Sequence, residues 1–371
     1  MVPPALPWPA IAGELGPTKV VLVRDPAVAL DAVVVIDDVA CGPAIGGVRM
    51  AEDVTVEEVA RLARAMTLKN AAGGLAHGGG KAGIVADPHM PAAEKARLVR
   101  AFGRAIRDLV EYIPGPDMGT DEACMGHLHD EIGRAVGLPR VLGGIPLDTI
   151  GATGFGLAIA AEVAEEFARI RLRGARVAIQ GFGAVGRHAA RFLAERGAVL
   201  VAAADSRGAI TRADGLDVVR LVAFKEEGGS LRDFPGGTPL DGDALVAVDC
   251  DVWVPAARPD VLDAGNAGRL RAKLVLQGAN IPATPEAEAM LHARGVVSVP
   301  DFIANAGGVI CAAVEYHGGT ETQAFAVIEE KIRANTRAVL ARSRDAGLLP
   351  RAAAEELARA RVVEAASYRR R

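Results

Sequence analysis

The most constraining stretch of this sequence is Gly181-Phe182-Gly183-Ala184-Val185-Gly186, a GxGxxG run that follows a short apolar segment, Arg176 to Gln180, and opens a helical pattern, Val185 to Arg196. About 20 residues further on, Asp205 closes the next apolar segment, Val199 to Ala204. Glycines alone can simply turn a strand into a helix. Strand, glycine turn, helix, strand and acidic residue in this order, however, meet the conditions for binding a dinucleotide. Gly181 permits the tight turn, Gly183 lets the backbone approach a pyrophosphate, and Gly186 lets the helix lie on its strand. The free N–H groups and partial positive charge at the helix start, carried by Ala184 and Val185 behind Phe182, then face the phosphates. Asp205 can accept from an adenosine ribose 2′-OH and would repel a 2′-phosphate, which favours NAD. Ser206 and Arg207 can each meet a 2′-phosphate, so NADP stays open.

From about Ile150 strands and helices alternate, with further strand-like runs at Val246 to Val254 and Lys273 to Gln277. That order means βαβ units and a parallel sheet. The first third instead mixes β-branched runs, Lys19 to Arg24 and Ala32 to Asp37, with a helical pattern at Val56 to Met66 behind the N-cap candidate Thr55. Another helical pattern covers Ala92 to Glu111, and two long Ala/Glu/Arg-rich helices follow from about Glu321. A length of 371 residues suits two domains. The expected class is α/β. A smaller N-terminal α/β substrate domain takes residues 1–145, a Rossmann-type doubly wound parallel sheet takes 146–330, and the helices of 331–371 pack back on the first domain.

Several function classes are excluded by composition. With 42 Lys+Arg against 46 Asp+Glu, a net charge of −4 and 4% aromatics, the chain lacks the basic stripe and stacking residues of a nucleic-acid binder. Mean hydropathy is positive, +0.23, yet charges or glycines interrupt every apolar run before the roughly 20 residues needed to cross a bilayer. The opening, Met1 to Gly16, carries Pro3, Pro4, Pro7 and Pro9 and no basic-then-apolar pattern, so no secretory signal is expected. Cys41, Cys124, Cys250 and Cys311 lie far apart; neither disulfides nor a metal site is expected, and four reduced thiols fit a cytoplasmic protein. His127 and His129 lie near Glu122, Asp130 and Glu131, but positions i and i+2 do not share a helix face, which points to a solvated surface. The tail Arg369-Arg370-Arg371 reads as frayed and solvated.

The chemistry-bearing residues stand in the first third. Each glycine inside a helix costs about 1 kcal/mol, so the dense run from Gly73 to Lys81 is expected to be a loop. Lys69 lies near the end of a mostly apolar helical stretch and Lys81 follows three glycines. A lysine is ordinarily solvated. Two ammonium groups converging on one desolvated site lower each other's pKa, and a neutral amine of that kind can act as a base. The Pro/Gly-rich stretch Ile113 to Thr120 is expected to turn around Asp117, which either serves as a cap or turn acceptor or exchanges a proton with a substrate amine. His77 is the only histidine expected near the site.

These residues carry a resemblance. Gly42-Pro43-Ala44-Ile45-Gly46-Gly47-Val48-Arg49-Met50, Met66 to Lys69 running through Gly78-Gly79-Gly80-Lys81-Ala82-Gly83, Gly115 to Thr120, Gly151-Ala152-Thr153-Gly154, Gln180 to Gly186, Gly278-Ala279-Asn280 and Pro300 to Val309 stand in the order found in the glutamate/leucine/phenylalanine/valine dehydrogenases, which the chain resembles over nearly its whole length. The resemblance implies reversible NAD(P)-dependent oxidative deamination of an L-amino acid to a 2-oxo acid and ammonia, by a homo-oligomer, hexameric or octameric. It implies that Lys69 holds the substrate α-carboxylate, that Lys81 activates water for attack on the imine, and that Asp117 shuttles a proton to or from the amino group. Thr153, Asn280 and Asn305 would line the nicotinamide and ribose, and Ile45, Gly46, Gly115, Val309 and Ala312 the substrate side chain, with substrate in a cleft between the domains.

Two departures bear on the substrate and the cofactor. Ile45 stands where glutamate-specific members carry a lysine, and Ala312 where they carry a serine. A γ-carboxylate would lose both polar contacts, and burying it unpaired costs on the order of several kcal/mol. Gly115 and Ala312 leave room for a branched or aromatic side chain, so apolar substrates are favoured. Against this, Asp205-Ser206-Arg207-Gly208 and Asp117-Met118-Gly119-Thr120 look more like glutamate dehydrogenases. Ala184 stands where the family often has an asparagine, whose side chain is not part of the phosphate cradle, so a modest effect on cofactor affinity is expected. Glutamate dehydrogenase is thus the alternative reading, and a non-catalytic nucleotide-binding regulator is an alternative of another class.

Overall fold

Alternating β-branched residues build a mixed five-stranded sheet in the first part of the chain. The computed structural model describes Gly13 and residues 15–369; the proline-rich opening through residue 12 and Arg370 and Arg371 of the basic tail, on which two of the expectations above fall, lie outside the described residues. The strands are β1 (Lys19–Asp25), β2 (Leu30–Asp38), β3 (Ala44–Ala51), β4 (Gly78–Val85) and β5 (Tyr112–Pro116), in the order β1-β2-β4-β3-β5. β1 and β2 pair antiparallel, as do β2 and β4, whereas β3 runs parallel to both β4 and β5. Helix α1 (Val56–Ala72) starts where Thr55 Oγ1 accepts from the Glu58 amide at 3.1 Å. Its Val59, Ala60 and Ala63 cover Val33 and Val35 on one face of the sheet. The other face, with Ala44, Val48, Met50, Ala82 and Ile84, packs on Leu98 and Phe102 of α2 (Ala92–Ala105) and on Met125 and Leu128 of α3 (Glu122–Ile132).

The expectation of a loop at the glycine run is corrected here. Gly78, Gly79, Gly80 and Gly83 lie in β4, the central strand of the sheet. A Cβ at Gly79 would fall on the Thr67 amide of α1, and one at Gly80 would meet the Tyr112 ring at 3.0 Å. Glycine is needed because helix and strand press backbone to backbone. The cost of glycine in a helix argues against a helix and is silent about a close-packed strand. The stretch Ile113 to Thr120 is likewise divided: Tyr112–Pro116 is strand, and the turn begins only at Asp117.

The second sheet has β6 (Arg176–Gln180), β7 (Val199–Asp205), β8 (Gly208–Thr211), β9 (Thr238–Leu240), β10 (Val252–Pro255), β11 (Leu274–Leu276) and β12 (Val297–Val299), ordered β12-β11-β10-β6-β7-β8-β9. The strands from β12 through β7 are parallel, and β8 and β9 add an antiparallel edge. From β6 the chain winds outward to β7 on one side and returns to β10 on the other, so the strand order reverses at β6. Ligands of such doubly wound sheets bind at the carboxyl ends of the strands flanking that switch. The longer helices of this part are α4 (Ala152–Ala168), α5 (Ala184–Glu195), α6 (Val218–Glu226) and α7 (Pro285–Ala293), with single helical turns at Leu147–Ile150 and Asp301–Ala304. Of the expected strand at Val246 to Val254 only the end from Val252 joins the sheet, as Val252–Pro255; Gly242–Ala247 forms a 3₁₀ turn after Asp241, whose side chain accepts from the Asp243 amide.

Three further helices follow, α8 (Gly307–Tyr316), α9 (Glu321–Ala346) and α10 (Pro350–Ser367). One compact unit comprises the described residues through Pro146 with Val309–Ala324 and the described residues from Ala358; the other comprises Leu147–Gly308 and Phe325–Leu357. The end of α10 serves the first unit, where Arg361 Nη1 donates to the Ala71 and Ala72 carbonyls at 3.0 and 2.7 Å and closes α1. Among the described residues no helix is long and apolar enough to cross a membrane.

Candidate active site

In the first unit the parallel register sets Gly115 of β5 opposite Gly47 of β3, and Arg49 of β3 opposite Gly83 of β4. Alternation turns Ile45, Arg49 and Lys81 away from the main core, toward the face that α1 partly covers. A Cβ at Gly47 would lie 2.8 Å from Asp117 Cβ and 3.1 Å from Lys81 Nζ, so this glycine clears the space in which the two side chains meet. Lys81 Nζ is 2.9 Å from Asp117 Oδ1. Arg49 Nε donates to Asp117 Oδ2 at 2.9 Å and its Nη1 to Glu58 Oε1 at 2.6 Å. The turn beyond β5 is pinned as well. Thr120 Oγ1 donates to the Val48 carbonyl at 2.7 Å and accepts from the Asp117 amide at 3.0 Å, while Gly119, at φ +79°, passes too close to the Met50 carbonyl for any side chain. Asp117 is therefore neither a cap nor a turn acceptor through its carboxylate.

Lys81 is only 5% exposed, and burial pushes its ammonium below the ordinary lysine pKa; Asp117 opposes that shift without cancelling it. Burial pushes the Asp117 carboxyl up, but Lys81 and then Arg49, by charge and hydrogen bond, outweigh it and hold the pKa below the ordinary value. The result is a carboxylate that stays ionised beside an amine that loses its proton more easily than a solvated lysine. The expected mutual lowering of two lysines is replaced by this arrangement, since the cation that adds most to the shift of Lys81 is Arg49. Lys69 sits half-buried on the last turn of α1.

Other expected residues of this unit fall as follows. Ile45 and Ala312 are buried, at 3% and 7% exposure, and Val309 is half-buried on α8. Gly46 is pressed against the Gly80 carbonyl, and its own carbonyl accepts from the Tyr112 hydroxyl at 2.8 Å. The room assigned to a substrate side chain at Gly115 is corrected: a Cβ there would lie 2.9 Å from Val136 Cγ2, so Val136 takes up that space. His77 precedes β4, with Nδ1 3.1 Å from the Pro43 carbonyl and Nε2 3.1 Å from His317 Nε2.

In the second unit the glycine run takes the backbone path that its spacing predicts. Gly181, at φ +96°, runs so close to Ala256 and Ala257 beyond β10 that a Cβ would lie 2.6 Å from their backbone. Gly186 is pressed on the Gly181 carbonyl, Phe182 is buried, and the Cβ direction at Gly183 opens into free space. Gly183 caps α5 without a side-chain hydrogen bond, leaving the amides of Ala184 and Val185 aimed outward. Asn305, 4% exposed, donates through Nδ2 to the Gly278 and Ala279 carbonyls at 3.3 Å each and to Asn280 Oδ1 at 3.1 Å. Its Oδ1 is buried with no hydrogen-bond partner. An open anion cradle and an orphaned acceptor on one side of the sheet fit a dinucleotide whose far end carries an amide donor. Thr153 stands half-buried at the start of α4, where its Oγ1 lies 3.2 Å from the Cβ position of Gly308.

Asp205 differs from expectation. Its Oδ1 accepts from the Arg207 and Gly208 amides at 2.8 and 3.1 Å, and its Oδ2 from the Leu231 amide at 3.3 Å and from Lys225 Nζ. A carboxylate has about four acceptor sites, and all are taken. Ser206 is exposed beside it, and Arg207 donates to the Gly228 and Gly229 carbonyls at 2.8 and 2.9 Å.

Four residues of these sites escape sequence reasoning. Arg49 carried a signal, an isolated charge in the apolar run of β3. Glu58 matched a capping box with Thr55, but its side chain turns to Arg49 instead of the helix start. Lys225 and Val136 reach their partners across 20 and 21 residues of chain, and no local pattern marks either.

Residues 17–134 match the family model described as Glu/Leu/Phe/Val dehydrogenase, dimerisation domain, and residues 143–370 match Glutamate/Leucine/Phenylalanine/Valine dehydrogenase. A glutamate dehydrogenase of Aeropyrum pernix is 38% identical over 320 residues, 81% of this chain and 76% of that protein. Among solved structures, the hetero-hexameric glutamate dehydrogenase of Thermus thermophilus in its Leu-bound form superposes with a TM-score of 0.83 at 32% identity, covering 94% of this chain and 89% of that one. The L-tryptophan dehydrogenase of Nostoc punctiforme gives 0.75 at 26% identity, covering 95% and 97%.

Proposed function

The chain belongs to the glutamate/leucine/phenylalanine/valine dehydrogenase family and is an NAD(P)-linked amino-acid dehydrogenase, and we propose that it oxidatively deaminates L-amino acids with apolar side chains, branched or aromatic. The observation that carries the reaction assignment is the buried Lys81 ammonium 2.9 Å from a carboxylate that a second cation, Arg49, keeps ionised. When bound, NAD(P) supplies the acceptor for the hydride that leaves the substrate Cα. Lys69 holds the substrate α-carboxylate. Asp117 exchanges a proton with the amino nitrogen, and Lys81, once neutral, takes a proton from the water that attacks the imine carbon and releases ammonia. Arg49 and Thr120 fix the direction of the Asp117 carboxylate through this sequence. Thr153, Asn280 and Asn305 receive the nicotinamide end, and Gly181 to Gly186 the pyrophosphate.

The preference for apolar substrates rests on Ile45 and Ala312, buried and without charge, where a γ-carboxylate would need a partner. Val136 beside Gly115 adds a further apolar wall. Relatives named glutamate dehydrogenase support the second reading, glutamate as substrate, while a Leu-bound member and a tryptophan dehydrogenase share the fold. For the nucleotide we propose that NAD serves and NADP is also accepted, because the Asp205–Lys225 pair is neutral as a whole and does not repel a 2′-phosphate. Assembly into an oligomer is supported by the match to a dimerisation domain and by a hetero-hexameric structural neighbour, and for this chain we take the homo-oligomer as the simplest form. A cytoplasmic location fits the four free cysteines.

A panel of L-amino acids, run with NAD and with NADP and followed by nicotinamide absorbance, tests both proposals. Turnover of leucine, valine or phenylalanine well above glutamate is expected. Strong turnover of glutamate with none of those three would establish the second reading, and inactivity with NADP would return Asp205 to its role as a discriminator.

A further inference from the structure

The start of α10 belongs to the second unit and carries Arg351 into its interior. Arg351 Nε donates to Glu288 Oε1 and Oε2 at 3.0 and 2.8 Å, its Nη2 donates to Gln277 Oε1 at 2.9 Å, and its Nη1 lies 3.0 Å from Asp301 Oδ1. Gln277, Glu288 and Asp301 are 0%, 6% and 6% exposed. One guanidinium thus faces two carboxylates and an amide in the interior. Tethering a helix does not call for such an arrangement, since apolar residues of similar volume would hold it at least as well.

The partners of Arg351 lead to the nicotinamide-side residues. Gln277 is followed directly by Gly278-Ala279-Asn280, and at the far end of that segment the Ile281 amide, at φ +48°, donates to Asp301 Oδ2 at 2.9 Å. The Asp301 amide donates to Gln277 Oε1 at 3.2 Å, and the Asp301 carbonyl accepts from the Asn305 amide at 2.7 Å. Both ends of the 278–281 segment and the turn that bears Asn305 are therefore joined at the Arg351 guanidinium. The phosphate cradle, by contrast, is built by β6 and α5.

We propose that Arg351 is a positioning residue for the nicotinamide end of the bound nucleotide: it fixes the 278–281 segment so that Asn305 presents its unpartnered Oδ1, and Asn280 its side chain, to the nicotinamide carboxamide. The proposal rests on the reading of Asn280 and Asn305 given above. Support by a buried outer layer of this kind governs how closely contacting groups hold their geometry.

The test compares two ligands on the full chain. NADH carries the nicotinamide, whereas ADP-ribose has the same adenosine and pyrophosphate without it. In Arg351→Gln, NADH binding, followed by nicotinamide fluorescence, is expected to weaken about tenfold, roughly 1.4 kcal/mol, while ADP-ribose binding stays within about twofold. Asp301→Asn keeps the side-chain volume and an acceptor for Ile281 and removes only the charge facing Arg351; the same split is expected there, and it decides the matter if Arg351→Gln does not fold. Equal weakening of both ligands, or of neither, overturns the proposal. Wild-type measurements separate the two levels of the argument. If the wild type holds NADH no more tightly than ADP-ribose, the nicotinamide role of Asn280 and Asn305 is lost and this proposal with it. A wild-type preference for NADH that survives in the variants overturns the Arg351 role alone.

Discussion

The two units build their sites from different materials. In the second, the Gly181–Gly186 cradle is made of backbone: amides left free at the start of α5 and glycines that keep the space above them open. In the first, the site is made of side chains, with Lys81, Arg49, Asp117 and Glu58 brought from β4, β3, the turn after β5 and α1. Glycine also serves opposite ends in the two. Gly183 faces open space and leaves room for a ligand, whereas Gly79 faces the Thr67 amide and leaves room for a helix. A motif can therefore announce a backbone site, because its parts are consecutive. A side-chain site exists only once a sheet has set its members in register.

The largest expected effect is on chemistry in the first unit alone. Lys81→Ala should lower kcat by about 10²–10⁴-fold, the usual weight of a general base, and leave NADH binding within about twofold. A loss of less than tenfold would remove Lys81 from the mechanism. Next come the glycines. Gly183→Ser should weaken nucleotide binding by about tenfold with no loss in thermal midpoint, since nothing in the protein opposes the new side chain and serine caps a helix at least as well as glycine. Gly79→Ala should do the reverse, costing about 1–3 kcal/mol of stability by overpacking β4 against α1, read from denaturant unfolding. If both substitutions acted on the same observable, the division drawn between the two kinds of site would be broken.

Smaller effects sharpen the electrostatic side. Lys81 has its pKa lowered, so its neutral fraction grows as pH rises, and the deamination rate should climb with pH and level off below the ordinary lysine value of 10.5. The depressed pKa of Asp117 has the opposite consequence: its contribution to stability is present above 3.8 and is lost as pH falls through the lower folded-state value. Arg49→Gln removes one of the two cations that depress Asp117, and the acid limb of the pH–rate profile should move upward; an unmoved limb would mean that Arg49 only packs. Smallest of all, Thr55→Ala should cost about 1 kcal/mol through loss of the α1 cap and leave kcat unchanged.

Much of this protein is legible before any coordinates exist. The strand at Arg176–Gln180, the helix from Ala184 and the acidic residue at Asp205 follow from a local pattern, because a tight turn, a free helix start and a strand end are each decided by neighbours in sequence. The family is equally plain from motifs in order. What the Asp205 carboxylate does is not local, since Lys225 arrives from α6 and occupies an oxygen that the pattern left for a ribose. The glycine run before Lys81 misleads for the same reason: its composition excludes a helix, while the need for glycine comes from α1 and Tyr112 pressing on both faces of β4.

The sequence by itself determined the class of fold, the position of the open glycine turn at the start of α5, and that Lys81 and Asp117 are the groups to watch, because spacing and residue type decide which backbone turns and which charges are available. Only the tertiary structure decided which charges meet, since Arg49 becomes the partner of Asp117, Val136 fills the space at Gly115, and Arg351 reaches Asp301 only when separate elements are packed together. Burial is a property of that packing as well, and burial is what lowers the pKa of Lys81.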